Sequence, residues 1–350
     1  ANRYWVGANN DDANATSSWS TSSGGSSGAS VPNASDTAIF DTGSNNCDSI
    51  NFPTNLGALT ITSGYSGTIR VRTSQTITGN VTVGGGDNSG LMLYAAGITL
   101  TINGNLTVDA GKDVTVLSSL TNAALTVVGD VSVSGILNLR SDSSGSGSNA
   151  GAVTMGSLTI NSGGTYNATG GTTTLTAYSG NGSNSDESRC FHNNGTFTHN
   201  KGKVKTTDDH QQQIFCQVAT TFYDLETANG APDVDDSLYF RLNGDNYLTI
   251  LNDFTVTGGN VRFYNADRGI TVRGNTFIGA SGRISEQELT GGTIIHDGLI
   301  TNKGVFLTSS TTNNFNGGVR NLGTFTSDDT ITIGGTGGIL EGNLDDANVN

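Results

Sequence analysis

Three of the four histidines, His192, His199 and His210, fall between Cys190 and Cys216. Thiolates and imidazoles together are the donor set of a zinc centre. The order found here, C-x-H-x6-H-x10-H-x5-C, matches none of the tight ligand spacings that assemble one. His192 and His199 also belong to a repeated phrase in which they need only point outward, so no metal or other cofactor is expected. Cys190 and Cys216 are 26 residues apart, and with Cys47 they make an odd count of three. If 26 residues are about one turn of a repeating structure, the two stack in neighbouring turns. They then form a disulfide should their Cβ atoms converge, or fill core positions as reduced thiols.

Carboxylates come in doublets at Asp208-Asp209, Asp235-Asp236, Asp328-Asp329 and Asp345-Asp346. Glycoside hydrolysis needs two carboxyl groups facing each other across a sugar, ~5–9 Å apart. Neighbours on a strand point to opposite faces, so the doublets read as solvated turns. Asp233-Val234-Asp235 is spaced for calcium but lacks the Gly and distal Glu of an EF-hand loop. Thr-x-Thr pairs at 60/62, 76/78 and 99/101 fall at offsets of 16 and 23, which predicts no single aligned ladder. No catalytic residue is assigned.

The elements that carry these residues are strands. Of 350 residues 50 are Gly, a 14% share and about twice the usual ~7%. Proline numbers only 3, and Val, Ile, Leu and Thr recur in short alternating runs broken by Gly, Asn, Asp and Ser. That composition excludes a disordered linker and predicts an all-β chain. A net charge of −14 would repel a phosphate backbone, so no nucleic-acid partner is expected. No run approaches the ~18 apolar residues of a membrane-spanning helix.

A five-residue box recurs: Gly57-Ala-Leu-Thr-Ile61, Gly79-Asn-Val-Thr-Val83, Gly104-Asn-Leu-Thr-Val108, Gly129-Asp-Val-Ser-Val133 and Gly156-Ser-Leu-Thr-Ile160. Its spacings are 22, 25, 25 and 27. Near-constant spacing with elastic loops marks a solenoid, and alternation within each box sends one face to a core. The expectation is a parallel β-helix in which 59/61, 81/83, 106/108, 131/133 and 158/160 form inward columns. The Gly-Asn or Gly-Asp that opens the box is read as turn chemistry, supplying residues that tolerate positive φ.

Further on, Asn302-x-Gly-x-Phe306 and Asn321-x-Gly-x-Phe325 share one form, with a third copy at Asn193-x-Gly-x-Phe197. Boxes starting at Asp253, Asn275 and Asp297 follow at spacings of 22 and 22. Four segments result: a cap over 1–46 holding Trp5 and Trp19, a first solenoid part over 47–178, a loop-rich excursion over 179–245, and a second solenoid part over 246–350. Segments 141–151 and 179–188 read as exposed loops. Phe215, Phe222, Tyr223, Tyr239 and Phe240 in the excursion are the candidate contact surface, because a column interior has limited room for them.

Arg3-Tyr-Trp-Val-Gly7, Trp19-Ser20, Val31-Pro32, Asp36 and Phe40-Asp41 resemble the opening of β-solenoid virion proteins of tailed, especially marine, bacteriophages. They also resemble bacterial surface proteins with autotransporter-associated strand repeats. Phe191–Asn200 and Thr221–Leu225 are similar to internal repeats of the same proteins. One departure is Asn9-Asn-Asp-Asp12, which replaces a more usual Gly-rich turn. The resemblance implies a non-enzymatic structural or adhesive virion component at the particle surface: a fibre, spike or capsid appendage. Its partners would be other virion proteins and a host-surface glycan or receptor, and the resemblance implies a homotrimer. The opening residues show no basic segment followed by an apolar core, which favours the phage setting. The alternatives are a bacterial cell-surface adhesin or filament subunit, and a polysaccharide-degrading tail spike.

Overall fold

The computed structural model describes residues 1–49, 51–85, 90–116, 123–139, 151–179, 188–230, 237–243, 247–264, 269–286, 292–308, 312–327, 330–333, 340–342 and 348–349. Within them the chain is almost wholly β, with a single 3₁₀ turn at Thr16–Ser18. Nearly every strand pairing is parallel, and the fold is a β-solenoid. The chain divides into two compact units. Among the described residues no helix is long and apolar enough to cross a membrane. The loop expected over 141–151 falls almost entirely outside the described residues, as does that over 179–188.

The first unit comprises Ala1–Thr173 and Gly195–Asn200. Its five boxes stack in register. Leu59, Val81, Leu106, Val131 and Leu158 make one column, and Ile61, Val83, Val108, Val133 and Ile160 the next. All ten are at most 1% exposed, so the expected inward columns are present. Outward, Asn80 Oδ1 accepts the Asn105 N–H at 2.9 Å, and Asn105 Oδ1 accepts the Asp130 N–H at 2.8 Å. Each coil thus fixes the height of the next. Thr76 pairs with Thr101 while Thr60 stacks on Thr82 in another column, so the Thr-x-Thr pairs form no single file.

The role expected of the box glycines needs correction. None of Gly57, Gly79, Gly104, Gly129 and Gly156 has a positive φ. They lie one above another instead. A Cβ on Gly79 would sit 2.6 Å from the Gly57 carbonyl oxygen, and one on Gly129 would sit 2.7 Å from that of Gly104. Glycine is required because backbone packs directly on backbone.

Asn2–Trp5 pairs in parallel with Thr37–Phe40 and antiparallel with Trp19–Ser20. Thr37–Phe40 in turn pairs with Ala58–Ile61. The parallel ladder therefore runs from Asn2–Trp5 through Thr37–Phe40, already inside the cap expected over 1–46. Trp5 and Trp19 are fully buried, 5.4 Å apart and edge-on, and both lie against Phe40. Trp5 Nε1 donates to the Asn46 carbonyl and Trp19 Nε1 to the Ala13 carbonyl. Removing residues 1–34 would strip this cover and leave the Thr37–Phe40 edge open, an invitation to strand addition. Sedimentation of that truncation should show concentration-dependent aggregates; a monodisperse species would mean that the cap is dispensable.

The second unit comprises Thr174–Asn194 and Lys201–Asn350. Here the excursion expected over 179–245 is corrected, because its described residues are coil strands. Gln212–Cys216 pairs in parallel with both Arg189–Asn193 and Ser237–Leu242. Asp224–Ala228 lies between Lys203–Thr206 and Phe254–Tyr264, and Thr220–Phe222 pairs with Leu248–Ile250. The hydrophobic pattern is weak because polar groups pair inside the coils. Thr206 Oγ1 donates to Asn229 Oδ1 at 2.9 Å, and Asn260 Nδ2 to Ser237 Oγ at 3.3 Å. Two of the N-x-G-x-F copies stack on each other: Phe306 lies on Phe325 at 5.0 Å, and Asn302 Nδ2 donates to Asn321 Oδ1 at 2.8 Å.

The cysteines do not stack. Cys216 pairs with Asn193, while Cys190 sits in a bulge between Arg189 and Phe191, opposite Gln213 and Ile214. Two to three positions along the ladder, roughly 7–10 Å by strand rise, put a disulfide out of reach. The Cys190 thiol donates to the Gln213 carbonyl at 3.2 Å. Burial pushes Cys216 up to about 12 and raises Cys190 as well, so both are poor nucleophiles.

Candidate functional site

The expected contact surface is largely internal, and this too is a correction. Phe222 and Phe240 point inward and are fully buried, in contact with Phe191 and with Phe254 and Phe263 respectively. Phe215 and Tyr239 point outward but are only 7% and 8% exposed. Guanidinium groups of Arg189 and Arg241 lie 4.5 and 5.4 Å from the Phe215 ring centre, and His192 stacks on the same ring. The Tyr239 hydroxyl accepts from Arg262 and Gln211, each at 2.8 Å. Tyr223 is half-buried. Coils rising ~4.8 Å at a time bring outward side chains into contact, so long cationic chains lie flat over the rings. Burial, aided by Arg189, lowers the His192 pKa and keeps it neutral at pH 7.

Asp208, Asp209 and His210 meet at an exposed corner, with His210 Nδ1 3.0 and 2.9 Å from the two carboxylates. Among the described residues this is the only group of three such side chains with ligand atoms within 4.8 Å. Its members satisfy one another at a solvated turn. His192 Nε2 meets Gln217 Oε1, an acceptor, at 2.8 Å rather than a thiol. The doublets at 235–236, 328–329 and 345–346, and the 233–235 triplet, lie outside the described residues.

A different site lies at the cap of the first unit. The loop after Asn2–Trp5 is shaped by its own carboxylates: Asp11 Oδ2 accepts the Ala8 N–H at 2.7 Å, and Asp12 Oδ1 the Asn14 N–H at 2.8 Å. Ala13 N–H donates to the buried Ser49 Oγ at 3.1 Å, tying the loop to strand Cys47–Ser49. On that strand Asp48 faces outward, and Arg70 is its register partner one coil on. Arg72 grips Asp48 through two bonds of 2.8 and 3.0 Å, and Arg70 adds one at 3.4 Å. Hydrogen bonds from Arg72, with help from Arg70, hold the Asp48 carboxyl below the usual carboxylate range. Both guanidinium groups lie 4.8 Å from the Tyr94 ring centre.

Between loop and strand this leaves a cleft of about 410 Å³ walled by Asn10, Asp11, Asp12, Asp48, Asn51 and Arg72. Asn51 also lines a second cleft of about 340 Å³ with Asn14, Asn33 and Asn55. A third, of about 440 Å³, is lined by Asn9, Asn45 and Asn46. Amides, carboxylates and guanidinium groups offer donors and acceptors side by side, the chemistry of a ligand that does both. Asn9-Asn-Asp-Asp12 stands out in the sequence only as a departure from a Gly-rich turn; no spacing links it to Asp48, Asn51 or Arg72. Comparison of the chain with protein-family models, curated proteins and solved structures found no match.

Proposed function

We propose that the protein is a non-enzymatic structural and adhesive component of a tailed-phage virion, displayed as a fibre, spike or capsid-surface appendage. Its partners in this reading are other virion proteins and a host-surface glycan or receptor, and its working state is a homotrimer. The observation that carries the adhesive part is the set of amide-rich clefts mounted on in-register coils. A close-packed ladder holds such a surface without side-chain rearrangement. The virion part rests on the resemblance of the opening residues.

Purified protein is expected to bind host cells saturably and to release no reducing sugar from their capsule or exopolysaccharide. Release of reducing ends would favour the polysaccharide-degrading spike. The gene is expected to lie beside portal, capsid or tail genes; a neighbourhood of secretion and sorting genes would move the protein to the bacterial cell surface. Mass photometry showing only single chains would remove the trimer.

A further inference from the structure

We infer that the cleft between the cap loop and strand Cys47–Ser49 binds an uncharged, hydroxyl-rich saccharide directly, without a metal ion. This deepens the adhesive reading and rests on it. Asn10 and Asn51 stand exposed on the two sides of the cleft. Each primary amide can donate to one sugar hydroxyl while accepting from another. Asp11 and Asp12 each spend one carboxylate oxygen on the loop's own N–H groups. The second oxygen of each can accept from a hydroxyl. Arg72 is fixed by its two bonds to Asp48 and presents a donor edge that does not have to be ordered on binding.

Charge selects against the other ligand classes. Asp11, Asp12 and Asp48 face Arg72 alone among the walls of this cleft. The whole chain carries a net −14. A uronate, sialate or sulfate group would enter against that field. A metal ion needs convergent ligand atoms. Asp48 is held by two arginines, and these three carboxylates do not bring ligand atoms within 4.8 Å of one another as Asp208, Asp209 and His210 do. A neutral polyol matches the mixed donor and acceptor walls, and the second cleft shares Asn51, so a chain of several sugars has room to continue.

The test is an array displaying neutral hexose, deoxyhexose and N-acetylhexosamine oligomers beside uronate, sialate and sulfated ones, probed with the full chain in chelator. The expected result is binding to neutral glycans, with the best oligomer at a Kd of about 1 mM or tighter by calorimetry. Asn10→Ala and Asn51→Ala should each weaken that Kd at least ~5-fold with the melting temperature unchanged, since both side chains are exposed. Binding confined to charged glycans, no binding to any neutral one, a need for added calcium, or affinity that survives both substitutions overturns the inference. Cell adhesion that persists in the Asn10→Ala/Asn51→Ala double variant would sink this site and leave the adhesive reading standing. Wild-type protein that binds neutral glycans on the array but not host cells would do the reverse.

Discussion

Gly104→Ala should destabilise the first unit by on the order of 3 kcal/mol or more, a large loss for one methyl group. A Cβ at 104 would lie 2.5 Å from the Gly79 carbonyl carbon and 2.6 Å from its oxygen, and would collide with Asn80 Oδ1. Two of those atoms are backbone and cannot turn away. The third already accepts the Asn105 N–H, so moving it breaks the outer asparagine ladder. The Gly104 N–H also donates to the Gly79 oxygen at 3.2 Å, which ties the two coils at the point of contact. Gly97 supplies the control: its φ is +70 and a Cβ there would meet nothing within 4 Å. Gly97→Ala should therefore cost only the ~1–2 kcal/mol of a left-handed alanine. Urea unfolding of both variants decides the matter. Equal losses would mean that the stacked backbone at 104 yields to a Cβ at no more cost than a left-handed alanine.

Mild acid should weaken the second unit through a buried histidine. His296 is 1% exposed, its ring lies against Phe306 and Phe315, and its Nδ1 meets Thr276 Oγ1 at 2.7 Å. Its Nε2 has no hydrogen-bond partner. Burial lowers its pKa from 6.5 to about 4, with Asp297 pulling weakly the other way. The unfolded chain takes up this proton near pH 6.5 and the folded one only near 4, so stability falls as pH drops across that window and levels off below it. The full gap is worth about 3 kcal/mol. His192, also lowered by burial, adds a loss of the same sign. Against burial, Glu226 is lowered too by Lys203 and Lys205, but from an ordinary value of 4.5, so its loss comes at more acid pH. Urea midpoints for the second unit should therefore drop between pH 7 and 5, and His296→Leu should flatten that slope. An unchanged slope in the variant would mean that His296 is not the proton acceptor.

The sequence by itself determined the fold class and the inward columns of the first unit. Alternation within a strand is local, so Leu106 and Val108 must face the same way whatever the rest of the chain does. A near-constant repeat then leaves one way to stack like on like, which is why Val81, Leu106 and Val131 fall in line. The buried tryptophans of the cap were legible for a related reason: two large apolar side chains before the first box have only its end to cover. Register across variable loops is not local, and there the tertiary structure decided. Here one coil returns after 23 to 24 residues, as Arg189 meets Gln213 and Phe191 meets Ile214, so a cysteine spacing of 26 overshoots and leaves Cys190 short of Cys216. Polar pairs such as Thr206 with Asn229 hide the inner face of the coils between 203 and 242 from a hydrophobic count. The cap cleft was out of reach for the same reason. Asn10, Asp48 and Arg72 meet only because one coil of backbone returns Arg70 to the height of Asp48 and a cap strand brings the loop alongside.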